Sequence, residues 1–568
     1  MFIDNKILVG KSNEKELYIL PNMANRHGLI TGASGSGKTI TLKVMAESFS
    51  SAGVPVFLAD VKGDLAGMCL PGENNEKIQE RLLKLGIAET FAFQSFPTIF
   101  WDVYGQSGHP IRTTVSSIGS TILSRMLGLT EAQAGVLAIA FKIAKDTNKE
   151  LVDLKDLRLL LQDVGEKRSE YTTSYGNVSV QSIGGIQRSI LMLQEQGGDC
   201  FFGEPSIDVK DFLKFDTESG YGNINILHAA ALFKQPILYS CFMLWLLTYL
   251  SQNMPEVGDL DKPKIVFFFD EAHLLFDDMP KYMLTQVTQV VKLIRSKGIG
   301  LYFISQTPND IPNEIQAQLG NRVQHTLRAY TPAEQKIVKA VASSFRINPE
   351  FDTEEAIMAL GTGEALVTFL NEKGEPGIVE KVTILPPQSK MGTIEESVRA
   401  TVINNSRFKG KYDKLIDRKT AFEIIQEEKQ VEQHMQQEAE QQMYSNPSAN
   451  TPSDAPTPTN SSANTTPKGM FSNNTNTYNS TKTTNTNANT TTTTNTTTQT
   501  TIPSTDNANN QKTTNSRKSN SGNTGRTTGK TTKKKKSIAE KAFTKTTNSA
   551  LTTLGRKIGN GLYKMFFK

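Results

Sequence analysis

The sequence of 568 residues predicts an α/β protein with a mostly parallel sheet, and three observations support this fold class. Apolar strand patterns alternate with helical patterns between residues 1 and 400, as they do when helices cover both faces of a sheet. One strand pattern, at residues 54–59, is apolar throughout, which is typical of a strand buried on both faces. A glycine-rich turn also joins a strand to a helix near residue 32, which gives a β–α–β beginning.

Residues 1–109 are predicted to form the first part of this α/β core. A strand is expected at residues 27–31, followed by a helix at residues 40–50 whose apolar side chains share one face. The wholly apolar strand comes next, at residues 54–59. This order places the glycine-rich turn between the first buried strand and the first helix of the core.

The next segment, residues 110–215, shows no strand pattern. Helical patterns follow one another through it, at residues 116–127, 131–144, 154–161 and 182–194. A long run of helices between two groups of strands predicts an all-helical insertion in the α/β core.

Strand patterns return in residues 216–400, which are predicted to form the second part of the core. They occur at residues 223–227, 264–269, 300–304, 322–327 and 365–370. Helical patterns at residues 282–296 and 332–343 lie between some of them. Strands that are separated by helices pair in parallel, so this part is expected to extend the same sheet.

Residues 401–568 differ in composition from the core. Residues 401–443 are rich in Glu and Gln and are predicted to be helical. Residues 444–532 are mostly Thr, Asn and Ser, with too few large apolar side chains to offset the entropy of ordering, so a disordered linker is expected. Residues 533–568 have apolar side chains at three- and four-residue spacings among lysines and arginines, which predicts a basic amphipathic helix.

The positive charge of the chain is concentrated near its C-terminal end. Residues 501–568 contain fifteen Lys or Arg and two acidic residues, a charge of +13. Because the whole chain carries +5, the remaining residues carry about −8. A basic tail of this kind indicates a polyanionic partner, which can be nucleic acid or an anionic membrane surface.

Several features favour a cytoplasmic location. The three cysteines have no CxxC spacing, which argues against a zinc site or a disulfide framework. The N-terminal residues have no basic region before an apolar core, so no secretory signal is expected. The longest apolar run, at residues 237–250, is shorter than the roughly 20 residues of a membrane span and predicts a buried helix. Peripheral membrane association through residues 533–568 stays open.

A glycine-rich motif lies between the first predicted strand and the first helix. It fits the pattern G-x-x-x-x-G-K-[ST] with Gly32, Ala33, Ser34, Gly35, Ser36, Gly37, Lys38 and Thr39. In this motif the glycines let backbone N–H groups face phosphate oxygens, the lysine binds the β- and γ-phosphates, and the hydroxyl binds Mg²⁺. The strand before it and the helix after it support the assignment, so the sequence predicts binding of ATP and Mg²⁺.

Two carboxylates, Asp270 and Glu271, directly follow the apolar strand at residues 264–269. A carboxylate at the end of such a strand holds Mg²⁺ in P-loop enzymes, which predicts that role for Asp270. Glu271 is predicted to polarise the attacking water, because hydrolysis needs a base close to the γ-phosphate. Together the two motifs predict an ATP-hydrolysing enzyme.

Other polar residues near predicted strand ends have two interpretations each. Gln306 can sense the γ-phosphate or orient water, but it can also be a turn contact. The acidic turn at residues 60–64 can reach the nucleotide or be a plain turn. His273 completes the letters of a DEAH box, yet Lys38 is too far from it in sequence for that helicase family, so a packing role is expected.

Three arginines are candidates for a residue that acts on a neighbouring subunit. Arg322 and Arg328 flank the predicted strand at residues 322–327, and Arg295 lies before the preceding strand. In ring ATPases an arginine of one subunit often reaches the γ-phosphate that is bound by the next. An ordinary solvated or paired arginine is the alternative for each of them.

The motifs resemble those of the HerA–FtsK superfamily of ring-forming P-loop ATPases, and within it the bacterial HerA-like branch that includes the YjgR proteins. The resemblance covers about residues 22–391. It is carried by residues 23–32, 57–64, 267–275, 294–298, 306–312 and 320–325. It implies a RecA-like core that assembles as a homo-hexamer with ATP at the subunit interfaces. It also implies that Gln306 is a sensor and that Arg322 acts in trans.

The resemblance makes a DNA translocase or helicase the first functional hypothesis, since better-studied members of the superfamily translocate double-stranded DNA or help process its ends. One alternative is a membrane-associated or secretion- or conjugation-type ATPase that places the basic C-terminal helix on a bilayer surface. Another is a non-motor scaffold that nucleotide regulates. Stimulation of hydrolysis by DNA distinguishes the first hypothesis from the other two.

Overall fold

The computed structural model describes residues 1–445, except residues 14, 259, 277, 278 and 280. The predicted basic helix at residues 533–568 and nearly all of the predicted disordered linker at residues 444–532 lie outside the described residues. The elements below therefore belong to the first 445 residues of the chain.

All strands of the described residues belong to one sheet. They are β1 (Phe2–Ile3), β2 (Lys6–Ser12), β3 (Lys15–Ile19), β4 (Gly28–Thr31), β5 (Val56–Asp60), β6 (Thr98–Asp102), β7 (His109–Pro110), β8 (Ile224–His228), β9 (Ile265–Phe269), β10 (Ile299–Ser305), β11 (Asn321–Gln324), β12 (Glu364–Thr368) and β13 (Glu380–Ile384). Their order across the sheet is β1-β2-β13-β12-β11-β4-β10-β9-β5-β8-β6-β7, and β3 pairs with β2.

The pairings from β11 to β7 are all parallel, whereas those that involve β12, β13 and the first three strands are antiparallel. Within the parallel part, β10 lies between β4 and β9. This is the strand order of a RecA-like core, so the predicted α/β fold with a mostly parallel sheet is confirmed.

The helices cover the sheet and fill the connection between β7 and β8. They are α1 (Lys38–Ser51), α2 (Glu76–Leu85), α3 (Val115–Met126), α4 (Glu131–Asp146), α5 (Leu154–Glu166), α6 (Arg168–Tyr175), α7 (Val180–Glu195), α8 (Gly198–Phe201), α9 (Pro236–Asn253), α10 (His273–Phe276), α11 (Lys281–Ile294), α12 (Asn313–Gln316), α13 (Pro332–Ser343), α14 (Thr353–Ala359), α15 (Glu396–Asn405) and α16 (Ala421–Ser445). Helices α3 to α8 follow one another where the sequence predicts an all-helical insertion. The boundaries of that insertion and of the other predicted domains stay predictions.

Side chains of β9 alternate between two hydrophobic cores, one on each face of the sheet. Phe267 and Phe269 belong to one core, and Val266 and Phe268 belong to the other, where Phe268 contacts Phe49 of α1. An apolar residue at every position is what a strand covered on both faces requires. In the part of the chain that the structure describes, no helix has the length and apolar character needed to span a bilayer.

Candidate functional site

The glycine-rich loop joins β4 to α1, and the strands on either side of β4 fix its backbone. The Gly32 amide donates to the Gln306 carbonyl at 3.2 Å, and the Ala33 amide donates to the Thr326 carbonyl at 2.8 Å. A Cβ atom on Gly32 would lie 2.5 Å from the Cβ atom of His325, so a side chain has no room at this position. The loop is thus held from both sides, after β10 and after β11.

The charged end of Lys38 lies on the loop itself. Its Nζ atom donates to the Gly32 carbonyl at 2.7 Å and to the Ala33 carbonyl at 3.2 Å. Burial lowers the pKa of Lys38, and nearby carboxylates offset part of this effect. The Ser36 hydroxyl is buried without a hydrogen-bond partner among the described residues, and Thr39 is half-buried in the first turn of α1. The loop therefore offers a cation and two hydroxyls at the amino end of a helix, an arrangement that suits an anion.

Asp270 and Glu271 follow β9 at the same edge of the sheet. Asp270 is buried, and this burial raises its pKa to about 6, with the positive charge of Lys62 opposing and the negative charge of Glu271 adding to the rise. The Glu271 Oε1 atom is 2.5 Å from Nζ of Lys62. His273 Nδ1 lies 3.5 Å from Glu271 Oε2, but neither atom forms a hydrogen bond within the described residues. His273 therefore lies beside Glu271 without a hydrogen bond between them, and its predicted packing role stays a prediction.

The acidic turn after β5 lies beside these two carboxylates, because β5 pairs with β9. Asp60 accepts hydrogen bonds from the Gly63 amide at 2.7 Å and from the Leu65 amide at 3.3 Å. Burial and the charge of Asp64 raise the pKa of Asp60 to about 7. Of the two interpretations of this turn, the placement favours the one in which it reaches the nucleotide site.

Gln306 directly follows β10 and contacts the glycine-rich loop through its backbone carbonyl. Its side chain is exposed. Asp310 fixes the turn by accepting hydrogen bonds from the hydroxyls of Ser305 and Thr307 at 2.5 and 2.9 Å. The structure thus brings Gln306 next to Gly32, while its predicted role as sensor stays a prediction.

The three candidate arginines lie in different places. Arg322 is in β11, and its guanidinium donates to the carbonyls of Leu319 and Gln316 at 3.1 and 3.2 Å. Arg328 is exposed beyond the carboxyl end of β11. Arg295 precedes β10, at the edge of the parallel strands opposite the glycine-rich loop. The structure does not bring Arg322 to the loop of its own chain, and its action on a neighbouring subunit stays a prediction.

His325 packs against the glycine-rich loop beside Gly32, and it was not among the predicted site residues. Its Nδ1 atom is 2.9 Å from the Glu364 carbonyl, and its Nε2 atom is 2.8 Å from the Thr41 hydroxyl. Burial lowers the pKa of His325 to about 4, so the ring is neutral at pH 7. The Gly363 amide also donates to the Ser36 carbonyl at 3.0 Å. The one signal in the sequence was that His325 is the last residue of the stretch 320–325, which carries part of the family resemblance.

Buried polar atoms without hydrogen-bond partners test whether the site fits Mg·ATP. Four of them belong to residues at the loop edge: Ser36 Oγ, Asp64 Oδ1, Asp270 Oδ2 and Glu271 Oε2. A bound anion, a cation and water can satisfy all of them, because they include both donors and acceptors. No three His, Cys, Asp or Glu side chains of the described residues come together as a metal site. Mg²⁺ held mainly by phosphate oxygens and water, with Thr39 and Asp270, is compatible with this finding.

Sequence comparisons match this chain to a family of helicases. A sequence model of the family described as Helicase HerA-like C-terminal matches residues 5–501. The chain is 23 % identical over 372 residues to the DNA double-strand break repair helicase HerA of Sulfolobus acidocaldarius, which covers 65 % of this chain and 67 % of that protein. The protein of the same name from Sulfurisphaera tokodaii is 22 % identical over 378 residues, again covering 65 % and 67 %.

Two solved structures are similar to part of the chain. The plasmid coupling protein TrwB in complex with the ATP analogue ADPNP aligns with a TM-score of 0.45 and 14 % identity, covering 67 % of this chain and 91 % of that one. VirB4 of Thermoanaerobacter pseudethanolicus aligns with a TM-score of 0.43 and 15 % identity, covering 68 % and 97 %.

Proposed function

The chain belongs to the helicase HerA-like family, and on that premise we propose that it is an ATP-driven DNA translocase. As a member of this family it is a P-loop ATPase. Two relatives carry the name of a DNA double-strand break repair helicase, which supports DNA as the polymer on which this chain acts.

The observation that carries the proposal is the meeting of two motifs at one edge of the sheet. The loop with Lys38 follows β4, and the carboxylates Asp270 and Glu271 follow β9, with only β10 between these strands. Strand ends of parallel sheets converge on a ligand in this way. The roles we assign are phosphate binding to residues 32–39, with Lys38 on the β- and γ-phosphates, and proton acceptance to Glu271.

Nucleotide binding requires Lys38 to exchange partners. In the structure its ammonium group contacts two carbonyls of its own loop. Phosphate oxygens carry full negative charge and bind an ammonium group more strongly than carbonyls do, so the exchange is favourable. Thr39 and Asp270 are the residues that would hold Mg²⁺, which supplies neutralisation of the phosphate charge. Glu271 then orients the attacking water and accepts its proton, and Gln306 contacts the γ-phosphate from the β10 side.

The assembly that we propose is a cytoplasmic homo-hexamer, in line with the resemblance to ring-forming ATPases. In such a ring an arginine completes the site of the next subunit, and Arg322 is our candidate. To do so its guanidinium has to leave the carbonyls of Leu319 and Gln316, and the exposed Arg328 is the alternative for this role. The basic helix predicted at residues 533–568 is a candidate contact for the DNA backbone or for a membrane surface.

Steady-state ATP hydrolysis by the full-length protein tests this function. We expect double-stranded DNA to raise the rate several-fold at low salt, because contacts with the DNA backbone weaken as salt rises. The Lys38→Ala variant should lose both the basal and the stimulated rate. Hydrolysis that depends on Lys38 but does not respond to double- or single-stranded DNA would support the assignment as an ATPase and contradict the assignment as a DNA translocase. The remaining hypotheses would then be a membrane-associated ATPase and a nucleotide-regulated scaffold.

A further inference from the structure

Lys62 lies at the tip of the turn after β5, and Asp60 holds that turn in place. The carboxylate of Asp60 accepts hydrogen bonds from the amides of Gly63 and Leu65, which follow Lys62 in the chain. The side chain of Lys62 is nevertheless 50 % exposed. Since these hydrogen bonds hold the backbone of the turn and half of the Lys62 side chain is exposed, the ammonium group can change partners without a movement of the turn.

The ammonium group of Lys62 contacts Glu271, which the proposed mechanism uses as the base. The two side chains are joined at 2.5 Å, and only 11 % of the Glu271 side chain is exposed. An oxygen that accepts a hydrogen bond from an ammonium group is a poorer acceptor for the proton of a water molecule. The ion pair with Lys62 therefore makes the Glu271 carboxylate a weaker base for the attacking water.

Two cations face the same edge of the sheet. Burial lowers the pKa of Lys62, but the hydrogen bond to Glu271 and the charges of Asp270 and Asp64 outweigh this effect and raise it overall. The turn with Lys62 follows β5 and the loop with Lys38 follows β4, so both end at the same edge of the parallel strands. Burial also lowers the pKa of Lys38, and the charge of Lys62 lowers it further. An anion bound between them would relieve this repulsion.

We propose that Lys62 is a second phosphate-binding cation of the nucleotide site and that it releases Glu271 when a γ-phosphate takes its ammonium group. The proposal rests on the ATPase function above and gives Lys62 the recognition of a nucleoside triphosphate over a diphosphate. Without nucleotide, Lys62 holds Glu271 in the ion pair. With the triphosphate bound, Lys62 contacts a γ-phosphate oxygen and Glu271 accepts the proton of the attacking water.

Affinities for two nucleotides test the recognition step. The full-length protein is titrated, in Mg²⁺ and without DNA, with ADP and with a non-hydrolysable ATP analogue. We expect Lys62→Met to weaken binding of the analogue about tenfold, the loss of one charge-assisted contact, and binding of ADP less than about twofold. Lys62→Arg should keep the preference for the analogue. The control is Lys142→Met, which removes a surface ion pair with Asp146 in α4 and should change neither affinity.

A double-mutant cycle tests the release of Glu271. The variants Lys62→Met, Glu271→Gln and the double variant are unfolded thermally without nucleotide, with ADP and with the ATP analogue. We expect the two residues to be coupled without nucleotide and with ADP, and the coupling to disappear with the analogue. A lysine that only holds the turn would remain coupled to Glu271 in all three conditions.

Three results with the variants would overturn the proposal. In the first, Lys62→Met weakens the binding of ADP and of the ATP analogue equally. In the second, it weakens the binding of neither nucleotide. In the third, the coupling between Lys62 and Glu271 is the same with and without the analogue. A lack of stimulation by DNA would count against the translocase and not against Lys62. Conversely, a wild-type protein that binds both nucleotides equally would overturn the role of Lys62 even if DNA stimulates hydrolysis.

Discussion

Burial shifts the pKa values of single titratable side chains at the candidate site. Asp60 and Asp270 end neighbouring strands and are 1 % and 3 % exposed, and burial raises the pKa of Asp60 to about 7 and that of Asp270 to about 6. Below the loop, His325 stays neutral because burial lowers its pKa to about 4. In the proposed function Mg²⁺ lies beside Asp270, where its charge stabilises the ionised carboxylate, so we expect its binding to release protons near the raised pKa of Asp270.

The stability of the nucleotide-free protein should depend on the charge of Asp60. Its pKa is about 7 when folded and about 3.8 when unfolded, so the stabilisation from its protonated form is complete below pH 4 and lost as pH rises to 7. In Asp60→Asn this loss is absent. We therefore expect the unfolding free energy of Asp60→Asn, relative to that of the wild type, to rise by about 2 kcal/mol from pH 5 to pH 8.

Urea unfolding at both pH values, without nucleotide or Mg²⁺, measures this difference. Asp4→Asn, a change of the same kind at an exposed turn residue, is the matched control. A pH-independent difference between Asp60→Asn and the wild type would show that Asp60 is already charged at pH 5.

At the scale of secondary-structure elements, helix α2 supports the glycine-rich loop through a turn. Arg81 of α2 donates to the carbonyls of Thr362, Gly363 and Ile384 at 3.0, 3.2 and 3.2 Å. The Gly363 amide in turn donates to the Ser36 carbonyl. The conformation of the loop therefore depends on a helix that contributes no residue to the predicted motif.

The Arg81→Met variant should loosen this support. Three carbonyls lose a charged donor, so we expect a loss of about 1–3 kcal/mol in unfolding free energy and about threefold weaker ADP binding. Chemical unfolding and nucleotide titration measure the two effects. Lys84→Met is the control on the same helix, since the Lys84 side chain is 62 % exposed and, among the described residues, forms an ion pair with Glu364 at 3.5 Å. Equal effects of the two variants would contradict the role of Arg81.

Elements with a local sequence signal could be predicted, and those whose place depends on distant pairing could not. The turn from β4 into α1 has a glycine motif, and β9 has an unbroken apolar run before Asp270. Strand β13 carries two charged residues at its start and is placed by pairing with β2 and β12. Strand β6 has only five residues and no helix directly after it, so its pattern was also missed.

The side-chain contacts within the site were harder to predict from the sequence than the strands and helices. Lys62 and Glu271 are 209 positions apart, and they meet because β5 pairs with β9 in a particular register. His325 connects α1 to β12, which no single segment of sequence indicates. The prediction for Arg322 came from the resemblance to a family, and the structure adds the two carbonyls that hold its guanidinium.

At the scale of the whole molecule, α16 is attached to the helical segment between β7 and β8 through ion pairs. Glu428 contacts Lys149 at 2.6 Å, and Glu432 contacts Lys167 at 2.7 Å. The side chain of Lys149 is only 5 % exposed, so its ammonium group depends on this partner. Beyond these contacts, residues 433–442 of α16 are exposed.

Removal of the carboxylate in Glu428→Ala should loosen the attachment of α16. The buried ammonium group of Lys149 then lacks its partner, which costs about 1–2 kcal/mol. We expect faster tryptic cleavage after Lys429, measured by mass spectrometry of timed digests. Glu440→Ala, in the exposed part of the same helix, should leave the rate unchanged. An unchanged rate in Glu428→Ala would mean that apolar packing alone holds α16.

Strand β10, which lies between β4 and β9, acts as a spacer of fixed width. Neighbouring strands are about 4.8 Å apart, so the backbones of β4 and β9 are about 10 Å apart, a distance that a hydrogen-bonded sheet cannot shorten. Side chains, the ligand and its bound water have to span the distance between these two strands. In the proposed function, this constant spacing sets how far the phosphate chain has to extend from the glycine-rich loop before its last phosphate lies beside Glu271.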